Sequence, residues 1–471
     1  MKSASKSLPT VPTIFIVLGI TGDLAARKIV PALDTLAQNS LLPSRFELVG
    51  VSRGTFTPTA FKDHLRALVP QNQPTAGRPR AEKIVDELPF IKNSTHVAGN
   101  LNDPQVYIDL KKTLDAIDAR WGMCSNKLFY LAVYPELYES VLTNLASSGL
   151  TEPCAPGEGW TNVIIEKPFG KDLPTARKLD KLIGKLFDET QIYRIDHYLA
   201  KEMLQNVMTL RFANPLFGKL WDVGAIDSIH IRLFESLGVE KRGGFYDNVG
   251  ALRDVGQNHL LQMLALGTMR EPKDMSAESV RDRRVEMLKK LVPPTRGELR
   301  KSSIRGQYKG YRSIEGVSKD SNTETYFKIP AHLSDKRLKN TEITLEGGKR
   351  LGQMLKEMVI TFHQEGSELK NYIVFTLEPE EKIVLHLWAK KPGFTMELEE
   401  HTFDFVLRDP KTKPQYNEEY ARLLLDCIHG DQTLFIRSDE IEAMWKFIDP
   451  IVREWSKNTT PLVMYEPDKS F

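Results

Sequence analysis

The first part of the chain alternates short apolar runs with amphipathic stretches. Residues 13–18 (TIFIVL) form one such run, a glycine turn follows, and apolar residues then recur at helical spacing. Three further apolar runs, each followed by a stretch of helical periodicity, occupy residues 46–54, 126–135 and 161–170. Because continuously apolar strands that alternate with helices are typical of a doubly wound parallel sheet, we predict a Rossmann-like α/β domain over residues 13–190. We expect residues 1–12 to form a disordered tail.

The pattern changes after residue 190. Residues 194–214 and 251–269 have the periodicity of helices, whereas residues 225–236 alternate as in a half-buried strand. Beyond residue 323 most apolar positions alternate as in an antiparallel sheet, and two helical stretches close the chain. We therefore predict an α+β domain with a large, mostly antiparallel sheet over residues 191–471. Residues 293–321, rich in Gly, Ser, Lys and Arg, are predicted to form a long surface loop.

Composition and charge exclude several classes of protein. The 64 lysines and arginines nearly balance 62 acidic residues, so no overall field draws the chain to nucleic acid or to an anionic membrane. The longest run of apolar residues and glycine, residues 14–20, is far shorter than the roughly 18 residues that span a bilayer. Three scattered cysteines without a CxxC pair fit a reducing compartment, and we predict a cytoplasmic protein. The ten histidines show no ligand spacing, so no metal site is predicted.

A glycine turn after the first strand is the first candidate site. Residues 19–26 (GITGDLAA) lie between the first strand and the first helix, where backbone N–H groups can approach a pyrophosphate. The spacing is GxxGDL and not GxGxxG, so a simple strand-to-helix turn explains it equally well. Arg53, directly after the second apolar run, lies where an arginine pairs with the 2′-phosphate of NADP. It favours NADP over NAD, although a surface arginine without a ligand would look the same.

Two later blocks combine acids, bases and lysines. Residues 194–201 (RIDHYLAK) place His197 and Lys201 four positions apart, so on a helix the two side chains would share a face and bind one anion. A solvated helix start is the alternative. Residues 241–262 contain His259 in a partly apolar setting, where a buried structural histidine is the alternative to a catalytic one.

Taken together, these segments resemble the successive motifs of the glucose-6-phosphate dehydrogenase family. The resemblance covers residues 13–450, in the family's order, and rests on GITGDLAARKIVPAL, FYLAVYP, EKPFG, RIDHYLAKEMLQNVMTLRFAN, RGGFYDNVGALRDVGQNHLLQML, SVRDRRVEMLK, GQYKGY, TETYF and LLLDCIHGDQTLF. Independent motifs rarely match in one order by accident, so the resemblance outweighs the structural alternatives. It implies an oxidoreductase of carbohydrate metabolism that oxidises D-glucose 6-phosphate to 6-phospho-D-glucono-1,5-lactone with hydride transfer to NADP. That reaction is the first oxidative step of the pentose phosphate pathway.

The resemblance also implies roles for individual residues. His259 would be the general base for the C1 hydroxyl, and Asp196 would orient its imidazole. His197, Tyr198 and Lys201 would hold the 6-phosphate. The remaining sugar contacts would come from Glu235, Asp254, Lys167 and Lys349. The cofactor-binding residues would be Gly19, Ile20, Thr21, Gly22, Asp23, Leu24, Ala25, Ala26, Arg53 and Lys167, with Tyr138 lining the coenzyme cleft.

Among the departures from the family pattern, three concern the substrate site. Glu346 stands where an arginine is usual, Met354 where a second cation is usual, and Glu378 where a glutamine is usual; Lys356 could replace the missing cation. A dehydrogenase of another aldose or aldose phosphate, NAD- or NADP-linked, and a degenerate dinucleotide-binding regulator therefore stay open as alternatives. The large sheet predicts a homo-oligomer, a dimer or tetramer, with a homodimer as the simplest case.

Overall fold

The computed structural model of the chain describes residues 11–69, 88–154, 158–222, 224–363, 368–408 and 418–469. Most of the tail predicted at residues 1–12 therefore lies outside the described residues. The chain divides into two compact units. The first comprises Met1–Gly170, Pro174–Ala200 and Gln415–Ser438, and the second comprises Lys171–Leu173, Lys201–Pro414 and Asp439–Phe471. No helix in the described residues has both the length and the apolarity needed to cross a bilayer.

The described residues contain 17 strands. In chain order they are β1 (Thr13–Leu18), β2 (Phe46–Ser52), β3 (Ser94–Ala98), β4 (Asn126–Leu131), β5 (Thr161–Glu166), β6 (Ile192–Ile195), β7 (Ile226–Phe234), β8 (Leu291–Val292), β9 (Ile304–Tyr308), β10 (Tyr326–Leu333), β11 (Glu342–Gly348), β12 (Leu355–Phe362), β13 (Asn371–Glu378), β14 (Glu381–Lys390), β15 (Leu398–Arg408), β16 (Phe435–Ile436) and β17 (Leu462–Tyr465).

The same residues contain 14 α-helices. They are α1 (Val30–Gln38), α2 (Pro58–Leu68), α3 (Pro89–Lys92), α4 (Pro104–Trp121), α5 (Tyr138–Ser147), α6 (Leu173–Leu186), α7 (Glu202–Ala213), α8 (Pro215–Asp222), α9 (Gly243–Tyr246), α10 (Leu261–Thr268), α11 (Ala277–Leu288), α12 (Arg296–Ser302), α13 (Glu418–Ile428) and α14 (Ser438–Ser456). Two π-helical segments, Ala25–Ile29 and Leu252–Leu260, run directly into α1 and α10.

The first unit is built on a seven-stranded sheet in the order β16-β6-β5-β4-β1-β2-β3. Neighbouring strands are parallel except at the β16–β6 edge. Every residue of β1 and β4 is buried, as expected for apolar runs covered on both faces. The strand order reverses between β1 and β4, and in open parallel sheets ligands bind at the carboxyl ends of the strands beside such a reversal.

The second unit is built on a ten-stranded sheet. Its main path is β15-β14-β13-β12-β7-β11-β10-β9-β17, and β8 pairs with β10. The pairs are antiparallel except for β7 with β11 and β9 with β17. The predicted fold class, a Rossmann-like α/β domain followed by an α+β domain with a large, mostly antiparallel sheet, is confirmed.

The helix predicted over residues 194–214 begins later than its periodicity indicates. Ile192–Ile195 instead form a buried strand between β5 and β16. A short 3-10 turn, His197–Ala200, follows, and α7 begins only at Glu202. The prediction that His197 and Lys201 share one helical face is therefore wrong.

Two other predictions about the second unit need correction. Residues 293–321 are not one long loop, because they contain α12 and β9. The start of α12 has a readable signal, a capping box in which Thr295 and Glu298 bond each other's backbone N–H groups. Residues 415–438, assigned from sequence to the second domain, group with the first unit.

The cysteines also differ from the expectation of reduced, scattered thiols. Cys124 and Cys154 form a disulfide in the first unit, with their Cα atoms 5.9 Å apart. Cys427 is a buried free cysteine. Burial raises the pKa of the Cys427 thiol far above its usual value, so the residue stays protonated and packs as a small apolar side chain.

Candidate active site

The glycine turn lies where β1 ends, beside the reversal of strand order. Gly19 has φ of 97°, and a Cβ added there would lie 2.4 Å from the carbonyl oxygen of Ala132. The Gly22 N–H donates to the Gly19 carbonyl at 2.9 Å, which closes the turn before the helical segment that starts at Ala25. A side chain at Gly19 would strain the backbone and clash with the next strand. The turn thus lets backbone amides approach a pyrophosphate, and it fits a dinucleotide.

Arg53 lies at the carboxyl end of β2, the strand next to β1. Its side chain is exposed, and among the described residues it has no ion-pair partner. The preceding residue, Ser52, is fixed by a 2.9 Å hydrogen bond between its hydroxyl and Nε2 of His96. The end of β2 therefore places an exposed guanidinium, without an ion-pair partner among the described residues, at the edge where the glycine turn lies.

A buried carboxylate that the sequence analysis did not single out stands before Lys167. Glu166 accepts a hydrogen bond from the Tyr130 hydroxyl at 2.5 Å, and its carbonyl accepts one from the Tyr138 hydroxyl at 3.0 Å. Burial raises the pKa of Glu166 despite the hydrogen bond from Tyr130. Tyr138 is 1 % exposed and packs in the core of the first unit, whereas Tyr134, 80 % exposed, is the accessible tyrosine of this segment. The contact of Tyr138 with the coenzyme stays a prediction.

The segment after β6 carries Asp196, His197 and Tyr198. Oδ1 of Asp196 accepts the Tyr198 N–H at 3.0 Å, and the Asp196 carbonyl accepts the Leu199 N–H at 3.0 Å. The His197 ring lies against the rings of Tyr198 and Tyr420, with centroids 5.0 Å and 6.4 Å away. These contacts hold a carboxylate, an imidazole and a phenol in place directly after β6.

In the second unit, Lys201 belongs to a buried cluster with Lys356 and Glu378. Nζ of Lys201 lies 3.1 Å from Oε1 of Glu378, and Nζ of Lys356 lies 2.7 Å from Oε2. Burial alone would raise the pKa of Glu378, but the two ammonium groups outweigh it and lower that pKa. Two cations around one carboxylate leave one net positive charge, which suits an anionic ligand.

Lys356, and not Met354, supplies the second ammonium group of this cluster. The Met354 side chain is 39 % exposed, whereas the Lys356 side chain is 12 % exposed. The two residues stand on the same short segment, but only Lys356 lies inside β12 and faces Glu378 across the pair β12–β13.

A second cluster joins Glu235, Asp254 and Lys349. Nζ of Lys349 lies 2.5 Å from Oε2 of Glu235 and 3.3 Å from Oδ2 of Asp254, and it also stands 5.3 Å from the centre of the Tyr246 ring. Burial alone would lower the pKa of Lys349, but the two carboxylates outweigh it and raise that pKa. The cluster contains more acceptors than donors, so it suits the hydroxyl groups of a sugar.

His259 lies within the π-helical segment Leu252–Leu260, the segment that also carries Asp254. Its side chain is 2 % exposed, and its backbone N–H is held by Oδ1 of Asn258 at 2.6 Å. Close packing supports this segment, because a Cβ added at Gly256 would lie 3.0 Å from the Phe327 ring. π-helical segments occur often at functional sites. The apolar periodicity of the sequence does not reveal such a segment.

Glu346, the acid that stands where an arginine is usual in the family, is hydrogen-bonded to two residues of the sheet. It accepts hydrogen bonds from the Tyr326 hydroxyl at 2.6 Å and from Nε2 of His230 at 2.8 Å. Burial would raise the pKa of Glu346, but the bond from His230 and that from Tyr326 lower it overall. Two hydrogen bonds thus hold its carboxylate inside the sheet.

Comparisons with known proteins agree with this arrangement. Two family models match the chain: the NAD binding domain of glucose-6-phosphate dehydrogenase over residues 16–206, and the C-terminal domain of the same enzyme over residues 208–470. A glucose-6-phosphate 1-dehydrogenase from Bacillus subtilis is 34% identical, over 96% of this chain and 94% of its own. A glucose-6-phosphate 1-dehydrogenase 2 from Mycobacterium tuberculosis is also 34% identical, over 97% of this chain and 91% of its own.

Solved structures extend the similarity to three dimensions. A glucose-6-phosphate dehydrogenase in complex with its substrate glucose-6-phosphate superposes with a TM-score of 0.89, at 29% identity, over 99% of this chain and 96% of its own. The glucose-6-phosphate 1-dehydrogenase from Mycobacterium avium superposes with a TM-score of 0.81, at 30% identity, over 98% of this chain and 95% of its own.

Proposed function

The chain belongs to the glucose-6-phosphate dehydrogenase family, and on that basis we propose that it oxidises D-glucose 6-phosphate to 6-phospho-D-glucono-1,5-lactone with NADP. Family membership makes it an oxidoreductase with a dinucleotide-binding domain. The observation that carries the substrate assignment is the pair of buried clusters in the second unit. The two lysines of one cluster give it a net positive charge, which suits a phosphate group. The carboxylates of the other cluster can accept hydrogen bonds from sugar hydroxyls.

The proposed chemistry is a proton abstraction coupled to a hydride transfer. A bound nicotinamide would supply the acceptor for the hydride that leaves C1 of the sugar. His259 takes the proton of the C1 hydroxyl, because an imidazole has a pKa near neutrality and can act as a base. Asp196 would orient that imidazole, as the family resemblance implies. Burial of His259 keeps bulk water from the base.

The remaining residues bind and orient the substrate. Lys201 and Lys356 would contact the 6-phosphate, together with His197 and Tyr198. Glu235 and Asp254 accept hydrogen bonds from sugar hydroxyls, and Lys349 forms ion pairs with both carboxylates. Lys167 would lie between the sugar and the coenzyme. The residues from Gly19 to Ala26 would bind the pyrophosphate.

Isotope tracing tests the proposed reaction directly. Glucose 6-phosphate that carries deuterium at C1 is incubated with the purified protein and NADP, and the reduced coenzyme is analysed by mass spectrometry. The proposal predicts one deuterium per reduced nicotinamide and formation of the lactone. Reduced coenzyme without deuterium would mean that the hydride comes from another carbon or another substrate.

Replacing Arg53 by alanine is expected to weaken NADP binding by about 10-fold to 10²-fold and NAD binding by less than about twofold. The guanidinium would bind the 2′-phosphate, a group that NAD lacks. KM values for both coenzymes, measured with saturating glucose 6-phosphate, check this. Arg45→Ala is the matched control, because Arg45 precedes β2 at the opposite end of the strand. Equal losses for the two coenzymes would remove Arg53 from the role.

Replacing Glu378 by glutamine is expected to lower the KM for glucose 6-phosphate by about three-fold to ten-fold. The amide keeps the shape but removes the anion that competes with the phosphate for Lys201 and Lys356. Glu346→Gln is the matched control, because it alters another buried carboxylate of the same sheet. A KM that rises in Glu378→Gln would show that the carboxylate supports phosphate binding, and a KM that stays constant would show that it does not compete with the phosphate.

A homodimer formed through β15 is the proposed assembly. This strand ends the sheet, and its side chains include exposed aromatics, with Phe403 55% and Phe405 53% exposed. An apolar edge strand that stays in water promotes uncontrolled pairing, and a second copy of the chain would cover it.

The double variant Phe403→Glu/Phe405→Glu is expected to be monomeric at micromolar concentration, because two carboxylates per chain would enter the contact. Light scattering coupled to size-exclusion chromatography measures the mass. Phe245→Glu, which alters an equally exposed phenylalanine of the same unit, should keep the mass of the unmodified protein. An unchanged mass in the double variant would place the interface elsewhere.

A further inference from the structure

The segment Leu462–Lys469, which we call the C-terminal strap, lies along the turn that carries Lys349. Its first part is β17, which pairs in parallel with β9 from Leu462 to Tyr465. Its last part runs past the residues that follow Lys349, because the Gly352 N–H donates to the Lys469 carbonyl at 3.1 Å. The strap is more than 100 residues away from this turn in sequence, so only the fold brings them together.

Tyr465 of the strap fixes the backbone of Lys349. Its hydroxyl donates to the Lys349 carbonyl at 2.6 Å and accepts from the Thr325 hydroxyl at 2.9 Å. The Lys349 N–H in turn donates to the Thr325 carbonyl at 2.9 Å. Both backbone polar groups of Lys349 are therefore bound in one network that closes only when Tyr465 is present. Tyr465 is 6% exposed, so water does not readily replace its hydroxyl.

Asp468 of the strap holds the next residue, Arg350, in an uncommon conformation. Arg350 has φ of 53°, in the left-handed region that residues other than glycine and asparagine rarely adopt. Its Nε donates to Oδ1 of Asp468 at 2.9 Å, and its carbonyl accepts the Asp468 N–H at 2.7 Å. The surrounding structure must over-determine such a backbone, and Asp468 supplies two of the contacts that do so.

These contacts determine where the Lys349 side chain points. A change of φ at Arg350 would reorient the peptide that follows Lys349 and shift its Nζ from Glu235 and Asp254. We infer that Tyr465 and Asp468 are positioning residues for the substrate-binding cluster, through the backbone of Lys349 and Arg350. This inference rests on the proposed function, in which that cluster binds the sugar.

The conservative variants Tyr465→Phe and Asp468→Asn test it. Each is expected to raise the KM for glucose 6-phosphate by about five-fold to twenty-fold, with kcat within about twofold and the KM for NADP unchanged. The control is Glu466→Gln, because Glu466 also stands on the strap and pairs with an exposed lysine, Lys309, that does not touch the cluster. The exposed pairs of Asp468 and Glu466 contribute little to stability, so Asp468→Asn and Glu466→Gln should keep the melting temperature of the unmodified protein. Tyr465→Phe removes a buried hydrogen bond and should melt at a lower temperature, so its KM is measured well below that temperature.

A second readout does not depend on activity. The Lys349 side chain is 6% exposed, and it should react slowly with acetic anhydride in the unmodified protein. We expect its labelling, measured by mass spectrometry, to rise several-fold in Tyr465→Phe and Asp468→Asn and to stay constant in Glu466→Gln. The exchanged pair Arg350→Asp/Asp468→Arg should restore the slow labelling and the low KM.

Failure of the inference and failure of the proposed function give different results. If Lys349→Ala raises the KM while the two strap variants match Glu466→Gln in KM and in Lys349 labelling, the strap does not position the cluster. If Lys349→Ala leaves the KM unchanged, the substrate role of Lys349 is wrong, and the labelling of Lys349 still decides whether the strap holds it.

Discussion

Replacing His259 by asparagine is expected to lower kcat by about 10² to 10³-fold and to leave the KM for glucose 6-phosphate within about twofold. Asparagine keeps a hydrogen-bonding side chain of similar reach but cannot accept a proton at neutral pH. A general base acts mainly in the transition state, so its loss affects turnover more than ground-state binding. Because His259 is 2 % exposed, no water chain from bulk solvent readily replaces it.

Steady-state kinetics with saturating NADP measure this effect. His332→Asn is the control, because His332 is a histidine of the same unit that is paired with Glu298 near the surface. The control should keep the kcat of the unmodified protein. Near-full activity in His259→Asn would assign the proton abstraction to another group, and His259 would then be a buried structural histidine.

Replacing Lys201 by alanine is expected to raise the KM for glucose 6-phosphate by about 10²-fold. The substitution removes one of the two ammonium groups around Glu378, so the net charge of the cluster falls from one positive charge to zero. It also leaves a buried carboxylate oxygen without its cation beside the phosphate, which adds repulsion to the lost attraction. The effect on kcat is expected to be smaller, because the phosphate is remote from C1.

The comparison of two sugars makes this prediction specific. Turnover of unphosphorylated glucose, measured at high concentration, should change little in Lys201→Ala, since that substrate lacks the group that Lys201 binds. Lys370→Ala, which removes an exposed lysine paired with Asp227, should leave the KM for both sugars unchanged. An unaffected KM for glucose 6-phosphate in Lys201→Ala would exclude the cluster as the phosphate site.

The local sequence pattern predicts most helices and strands of the fold. It fails where contacts between distant residues determine the secondary structure. The buried strands β1, β2, β4 and β5 stand out as apolar runs, because a central parallel strand is covered on both faces. β11 has a weak strand pattern, because its sequence, EITLEGG, contains two glycines and two glutamates, of which Glu346 has a buried carboxylate. That carboxylate, Glu346, can be buried only because Tyr326 and His230 on other strands bind it.

The residue types of the site could be predicted in part, but their partners could not. The glycine turn is readable because a strand, a turn and a helix follow one another locally. The pairing of Lys201 with Glu378 joins residues 177 positions apart, which no periodicity reports. The strand Ile192–Ile195 and the 3-10 turn after it were read as helix because their apolar spacing fits both. Backbone pairing with β5 and β16 holds Ile192–Ile195 in a strand.

The most direct test of the central claim follows nicotinamide reduction with purified protein in four pairings, glucose 6-phosphate or glucose with NADP or NAD. The account predicts rapid reduction with glucose 6-phosphate and NADP, and far lower kcat/KM in the other three pairings. Equal turnover of both sugars would contradict the phosphate role of the Lys201 cluster and favour another aldose. No reduction in any pairing would contradict the claim that this chain is an active dehydrogenase of glucose 6-phosphate.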